Sequence, residues 1–225
     1  MVLSGTIPLV VANKDESKMD IEKPFNVSLT KDKSITGNLY GSGDIAIIFS
    51  NMDTNEQSEW NPLIRHLRLD RCMGFTYTYP THMNDQSEIL EEVISYAHGL
   101  GVKKIVLVGA SRGGVASLKV AARNVNNDSI VGVIALSAPI EYEGTIFYNA
   151  NELKAIKIPK LLLNSEKDGG AEDNRKMLEL FCDPKELFFY SGDAHGTELF
   201  DHELKSIATK INDFMKSILI KYDTI

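Results

Sequence analysis

The sequence predicts an α/β fold with a mainly parallel sheet flanked by helices. Three observations carry this. Short apolar runs alternate with amphipathic helical ones along the chain. Several of the runs, such as Ile45–Phe49 and Ile130–Leu136, are continuously apolar, as strands covered on both faces are. One run, Ile105–Val108, leads straight into Gly109-Ala110-Ser111-Arg112-Gly113, a G-x-S-x-G turn followed by a small-residue helical segment, Val115–Arg123.

The other elements are read in chain order. Phe25–Leu29 and Ile35–Tyr40 are expected strands joined by a polar turn, Thr30–Ser34, and Gly41–Asp44 is a tight turn before Ile45–Phe49. A loop, Ser50–Glu59, leads to a helix from about Trp60, with Pro62 in its first turn and Leu63, Ile64 and Leu67 on one face. Phe75–Tyr79 is the next strand. A helix over Glu88–His98 puts Ile89, Leu90, Val93, Ile94 and Ala97 on one stripe, with Asp85 and Glu88 as a capping box and Gly99 or Gly101 as the stop. Leu161–Leu163, entered through Pro159, is a strand, Ala171–Phe181 a helix and Leu187–Tyr190 the last strand. Leu204, Ile207, Ala208, Ile211, Phe214, Met215, Ile218 and Leu219 keep helical spacing to the end, which marks core packing and no chemistry.

Composition narrows the function classes. The chain has 225 residues, a 43% hydrophobic content and a net charge of −7, and no basic run exceeds two residues. It is sized for one large or two small domains and is a poor partner for nucleic acid. No apolar stretch reaches membrane-span length. Cys72 and Cys182 sit in no metal-type spacing and are expected as free thiols. Residues 1–23 are expected as an N-terminal arm or trimmed export segment ahead of a domain over 24–225. Val2–Ala12 is apolar but lacks a Lys/Arg-rich start and contains Pro8. The expected location is therefore cytoplasmic, with export as the alternative if residues 1–12 are a signal remnant.

A serine on a sharp strand-to-helix turn is thrust above the sheet, and the helix N-terminus beneath it offers free N–H groups to an anion. The pentapeptide alone would occur by chance in roughly one chain in ten of this length, so its partners matter. A serine hydroxyl needs a base, and the base an orienting carboxylate. His195 lies in a loop between the last strand and the last helix. Asp168 follows Leu161–Leu163 in Asn164-Ser165-Glu166-Lys167-Asp168-Gly169-Gly170. In a parallel sheet the carboxyl ends of the strands share one edge, which brings Ser111, Asp168 and His195 together. Glu166, Asp173 and Asp193 are rivals for the acid. His66 and His98 read as surface residues, His202 sits early in the final helix, and His82, between a strand and a helix, could border the pocket. The oxyanion hole needs two main-chain N–H groups. Arg112 is expected to give one and Met52 the other, with Asn51 as runner-up. Between Ser137 and Pro159, Ile140, Tyr142, Phe147 and Tyr148 either roof a small apolar pocket or pack their excursion onto the body. Asn51, His82, Tyr142 and Phe147 are the candidate pocket residues.

With these residues in place, the chain resembles the α/β-hydrolase superfamily from about Phe25 to its end. Within it, the chain is similar to the small bacterial dienelactone-hydrolase-like or serine-esterase-like branch. The matching pieces are Ser50-Asn51-Met52 with Trp60 downstream, Gly109–Gly114, Leu136-Ser137-Ala138-Pro139 and Ala194-His195-Gly196-Thr197. The resemblance implies an eight-stranded, mostly parallel sheet with its second strand antiparallel, flanked by helices; the insertion of about twenty residues between Ser137 and Pro159 leaves length for only a short cap. It implies Ser111 as nucleophile, His195 as base, Asp168 as acid, and acyl-enzyme chemistry with neither metal nor organic cofactor. Hydrolysis of small carboxylic esters is the expected activity, with amide, peptide or thioester cleavage, acyl transfer on the same residues, or a non-catalytic binding role as alternatives. Two departures stand out. The usual His-Gly after the third strand is Ser50-Asn51, and the frequent Asp-x-Arg-Gly turn after the fourth is Tyr79-Pro80-Thr81-His82. A dienelactone hydrolase proper would use Cys, so Ser111 argues against that specific activity.

Overall fold

A computed structural model describes residues 21–30, 33–67, 71–80 and 85–221. The expected export segment, residues 1–12, and His82 lie outside these residues. Eight strands form one sheet: β1 (Ile21–Thr30), β2 (Lys33–Gly41), β3 (Ile45–Ser50), β4 (Cys72–Thr78), β5 (Lys104–Ala110), β6 (Ile130–Leu136), then, beyond the insertion, β9 (Lys160–Ser165) and β10 (Lys185–Tyr190). Their spatial order is β1-β2-β4-β3-β5-β6-β9-β10. Only β2 runs against its neighbours, pairing antiparallel with β1 and with β4, while every other pair is parallel. The remaining elements are α1 (Asn61–Ile64), α2 (Gln86–Gly99), α3 (Arg112–Arg123), the hairpin β7 (Glu141–Tyr142) and β8 (Thr145–Ile146), α4 (Ala150–Ala155), α5 (Ala171–Leu180) and α6 (Phe200–Leu219).

Two cores, one on each face of the sheet, explain the apolar strands. On one face Leu63 and Ile64 of α1 and Ile207, Ile211, Phe214 and Met215 of α6 pack on Ile47, Phe49, Val106, Val108, Ile134 and Leu161. On the other, Leu90 and Val93 of α2, Leu118 of α3, Leu153 of α4 and Met177 of α5 pack on Ile48, Phe75, Leu107, Val133 and Leu162. Alternate residues of one strand thus feed opposite cores, and each fully buried aliphatic side chain contributes about 1.5–3 kcal/mol.

Where element ends differ from expectation, the cause is local. β1 begins at Ile21, three residues inside the segment assigned to the arm. It is the outermost strand, where a proline such as Pro24 and a charge such as Lys23 are tolerated. The helix expected from Trp60 is a single 3-10 turn over Gln57–Trp60 followed by the four residues of α1. The Asp85 cap is present, but its carboxylate accepts from the Ser87 N–H, so α2 starts at Gln86, two residues before the expected Glu88.

The insertion packs onto the body rather than roofing a pocket. Ile140, Tyr148, Leu153 and Ile156 are buried in the core shared with α3 and α5, and the amide of Ile140 donates to Asp173 at 2.7 Å. Tyr142 stands on the β7–β8 hairpin with 61% of its surface exposed.

Candidate active site

Strand register sets the site. Ser50 pairs with Gly109, Ala110 with Leu136, Leu136 with Leu163, and Ser165 with Tyr190, so β3, β5, β6, β9 and β10 end at one rim. The main-chain pairing continues past the strands, from Ser111 N to Leu136 O at 2.7 Å and from Glu166 N to Tyr190 O at 2.8 Å. The loops that leave this rim therefore start from fixed points, although their residues are far apart in sequence.

At the β5–α3 turn Ser111 has φ 49° and ψ −115°, a conformation that L residues rarely adopt. Two glycines make the turn possible. A Cβ at Gly109 would lie 2.2 Å from the Gly113 carbonyl oxygen, and one at Gly113 would lie 2.1 Å from that of Ser50. The G-x-S-x-G spacing thus reflects close backbone approach, between strand and helix and between the elbow and the end of β3. Arg112 opens α3, so its N–H has no partner within the helix.

The three side chains expected to meet at this rim do so. His195 Nε2 lies 2.7 Å from Ser111 Oγ, and His195 Nδ1 lies 2.7 Å from Asp168 Oδ2. The Asp168 side chain is 5% exposed and that of His195 37%. Burial pushes the Asp168 carboxyl up, but hydrogen bonds from His195, Asn164 and the Gly170 N–H outweigh it and hold the group below its ordinary range. The bond to Asp168 lifts His195 above its usual value of 6.5, against the opposing effect of burial. An ionised Asp168 accepts only, which fixes the proton on Nδ1 and leaves Nε2 to accept from the serine hydroxyl.

The rival residues are accounted for elsewhere. Glu166 and Asp193 are exposed, and Asp173 accepts from the amides of Ile140 and Glu141. His66 bonds the carbonyl of Pro62, and His98 that of Val102.

Three pocket candidates are corrected. Asn51 is fully buried and lines nothing, because its Nδ2 donates to the Tyr77 carbonyl at 2.7 Å and its Oδ1 accepts from the Trp60 indole at 3.0 Å. Tyr142 sits on the exposed hairpin, and Phe147 packs against the core cluster with its ring 6.4 Å from that of Tyr148. No hydrogen bond among the described residues joins either to the three central side chains. Met52 borders the site: its Sδ is 3.0 Å from Thr197 Oγ1, two residues after His195.

Several residues that hold the site were not singled out in the sequence. Ser137, at φ 50° past β6, donates to Asn164 Oδ1 at 2.6 Å and accepts from the Gly196 N–H at 2.9 Å. Asn164 in turn donates to Asp168 Oδ1 at 3.0 Å. Thr197 Oγ1 donates to Glu59 Oε2 at 2.9 Å, linking the histidine loop to the segment after β3. For Asn164 the sequence signal was polarity at the end of an apolar run; Ser137 and Thr197 stood in pieces matched by the resemblance, with no role assigned to either.

A polar cleft of about 270 Å³, bordered by Lys104, Asn124, Ile130, Lys157, Pro159 and Lys221, opens at the opposite end of the strands and holds none of these residues. Among the described residues no group of three or more His, Cys, Asp or Glu is placed to hold a metal ion. No described helix is long and apolar enough to cross a membrane.

Sheet order, the strained elbow serine and the rim on which it stands define an α/β hydrolase, and the chain is a member of that superfamily. Within it, the chain belongs to the family of the PGAP1-like alpha/beta domain, whose family model matches residues 35–155, more than half its length. That match spans Ser111 and ends before Asp168 and His195. Among solved structures, the chain is similar to Est1E from Butyrivibrio proteoclasticus, with a TM-score of 0.71 and 16% identity over 88% of this chain and 100% of that one. It is similar to an esterase of Pyrococcus furiosus, with a TM-score of 0.71 and 16% identity over 96% of each chain. It also resembles a dienelactone hydrolase from Anabaena variabilis, with a TM-score of 0.69 and 17% identity over 90% of this chain and 99% of that one. No curated protein matches the sequence.

Proposed function

We propose that the protein is a serine hydrolase that cleaves small carboxylic esters through an acyl-enzyme. The observation that carries this reading is the unbroken line from Ser111 Oγ through His195 to Asp168, with both links at 2.7 Å. A hydroxyl at that distance from an imidazole of fixed tautomer can lose its proton as it attacks.

In the proposed reaction Ser111 Oγ attacks the ester carbonyl while His195 Nε2 takes its proton. Asp168 stabilises the imidazolium so formed. The main-chain N–H groups of Arg112 and Met52 receive the oxyanion. His195 then gives its proton to the leaving alcohol, and water repeats the cycle to free the acid. The insertion supports a compact substrate. Its apolar residues Ile140, Tyr148, Leu153 and Ile156 are spent on the core, leaving a two-stranded hairpin and a short helix in place of a broad lid. This favours compact acyl groups over long-chain lipid.

The reading is tested by a fluorophosphonate probe followed by activated esters of graded acyl length. The probe should label Ser111, and Ser111→Ala should lose labelling and about a thousand-fold or more of turnover while staying folded. Unchanged turnover in that variant would end the proposal. A clear preference for amides, thioesters or long-chain emulsions would replace the substrate class and keep the nucleophile.

A further inference from the structure

The loop after β3 carries Met52, and its shape is set by the end of β4. Ser50 Oγ and the Tyr77 hydroxyl are 2.8 Å apart, and Asn51 is bonded to Tyr77 and Trp60 as described above. Asn55 makes a two-way pair with the main chain of Tyr79: its Oδ1 accepts from Tyr79 N at 3.1 Å and its Nδ2 donates to Tyr79 O at 2.8 Å. The Tyr79 hydroxyl then returns to the loop and donates to the Met52 carbonyl at 2.7 Å. That carbonyl also accepts the Asn55 N–H at 3.0 Å, which closes a ring of bonds through Met52, Asn55 and Tyr79.

This ring bears on the reaction because of where the Met52 N–H sits. The residue before it is anchored through the Asn51 side chain, and its own carbonyl is anchored by Tyr79. The N–H lies between two fixed points, so the dihedral angles that aim it have little freedom. An oxyanion donor is useful only when it already points at the position where charge will develop, within about 2.7–3.1 Å. Asn55 has φ 57°, a conformation asparagine tolerates better than most residues, which lets the loop turn back towards β4. Burial, with a smaller contribution from the Asp53 carboxylate, pushes the Tyr79 phenol up to about 12, so the hydroxyl stays a neutral donor at working pH.

We propose that Tyr79 is a positioning residue for ester hydrolysis: its hydroxyl, oriented by Asn55, aims the Met52 main-chain N–H at the developing oxyanion. The inference rests on the oxyanion role proposed above for Met52.

The test compares wild type, Tyr79→Phe and Asn55→Gly on an activated short-chain ester and on its thiono counterpart, in which C=S replaces C=O. A thiocarbonyl sulfur is a weak hydrogen-bond acceptor, so its hydrolysis draws little from the N–H groups. Tyr79→Phe should lower kcat on the oxoester by ~10–100-fold, short of the ~100–1000-fold expected for losing a donor outright. KM should stay within about twofold and the oxoester-to-thionoester rate ratio should fall, because the lost aim affects the transition state alone. Asn55→Gly tolerates the same φ, removes both bonds to Tyr79 and should move the same ratio in the same direction; it gives the reading if Tyr79→Phe fails to fold. An active enzyme whose kcat is untouched by either change, or that slows equally on both esters, overturns the role of Tyr79 alone. A wild type that hydrolyses neither ester and takes no fluorophosphonate overturns the reaction itself.

Discussion

Asn164 donates to one oxygen of Asp168 at 3.0 Å while His195 takes the other at 2.7 Å. The carboxylate is thus clamped on both sides, and the clamp extends further. Asn164 Oδ1 accepts from Ser137 Oγ and from the Ser165 N–H, and Ser137 Oγ accepts from the Gly196 N–H beside His195. One buried amide therefore sets the acid directly and, through Ser137, the loop that bears the base. Fully satisfied buried networks of this kind rigidify a site, and their partial loss is costly.

Asn164→Ala should accordingly lower stability by about 1–3 kcal/mol, because it leaves the Ser165 N–H buried without its partner. Turnover should fall more than stability explains, and Asp168 should titrate closer to its ordinary value once a donor to its carboxylate is gone. Chemical denaturation together with the rate on an activated ester checks both. A variant as stable and as active as wild type would remove Asn164 from the site's support.

The pH dependence follows from the raised value of His195. The base works only when neutral, so kcat/KM should rise with pH through a midpoint above 6.5, the ordinary imidazole value. Asp168→Asn removes the charge that favours the imidazolium and should shift the acid limb down. It should also cost about ten thousand-fold in turnover, because an amide can donate as well as accept and no longer fixes the tautomer. A pH–rate profile with its midpoint at or below 6.5 would contradict the assignment of His195 as base.

Stability responds to the same pair with opposite signs. The raised His195 value contributes stability below about 6.5 that is lost as pH rises through the folded value. The lowered Asp168 value contributes stability above its ordinary 3.8 that is lost as pH falls through the folded value. Between those limits both contributions are present, so the denaturation midpoint of wild type should decline on either side. Asp168→Asn should flatten the decline on both sides, since it removes one titration and the partner of the other.

Gly113→Ala should be far more damaging than its single methyl suggests. The added carbon would meet the Ser50 carbonyl oxygen at 2.1 Å and that of Asn51 at 2.6 Å, both main-chain atoms of the segment that carries Met52. Either β3 or α3 must shift, at a cost of about 1–3 kcal/mol or more. Thermal unfolding and ester turnover should drop together; wild-type values for both would show that the elbow has room the structure does not give it.

Tyr142→Ser should do little. With 61% of the residue exposed on the hairpin, stability should change by no more than about 0.5 kcal/mol, and turnover of short esters should hold. A large rise in KM would return Tyr142 to the substrate pocket.

The architecture was legible in the sequence because buried parallel strands need continuous apolar residues and amphipathic helices need a stripe. Ile45–Phe49, Ile130–Leu136 and the stripe of α6 carry both signals plainly. Element ends were less legible. β1 takes in charged residues at an open edge, and the helix expected from Trp60 is a 3-10 turn ending at Trp60 and a four-residue α1, with no breaker in the sequence to mark its stop. The supporting side chains Asn164, Ser137, Asn55 and Tyr79 were not legible as a group, since polar residues at strand ends are common and only their mutual distances distinguish them. Asn51 and Tyr142 were misplaced for the same reason: a sequence gives the loop, and packing decides which way the side chain faces.

By itself, then, the sequence determined the run of strands in the main sheet with most of their helices, the glycine-bounded turn at Ser111 and the polar loops bearing Asp168 and His195; the β7–β8 hairpin and α4 were not read from it. What it did determine depends on local rules of burial and backbone freedom. Tertiary structure decided that Ser111, Asp168 and His195 stand at 2.7 Å from one another in line, and that β4 supports the loop carrying Met52. Such distances come from strand register across one sheet, where each loop's position is fixed by neighbours remote in the chain, so no local stretch of sequence contains them.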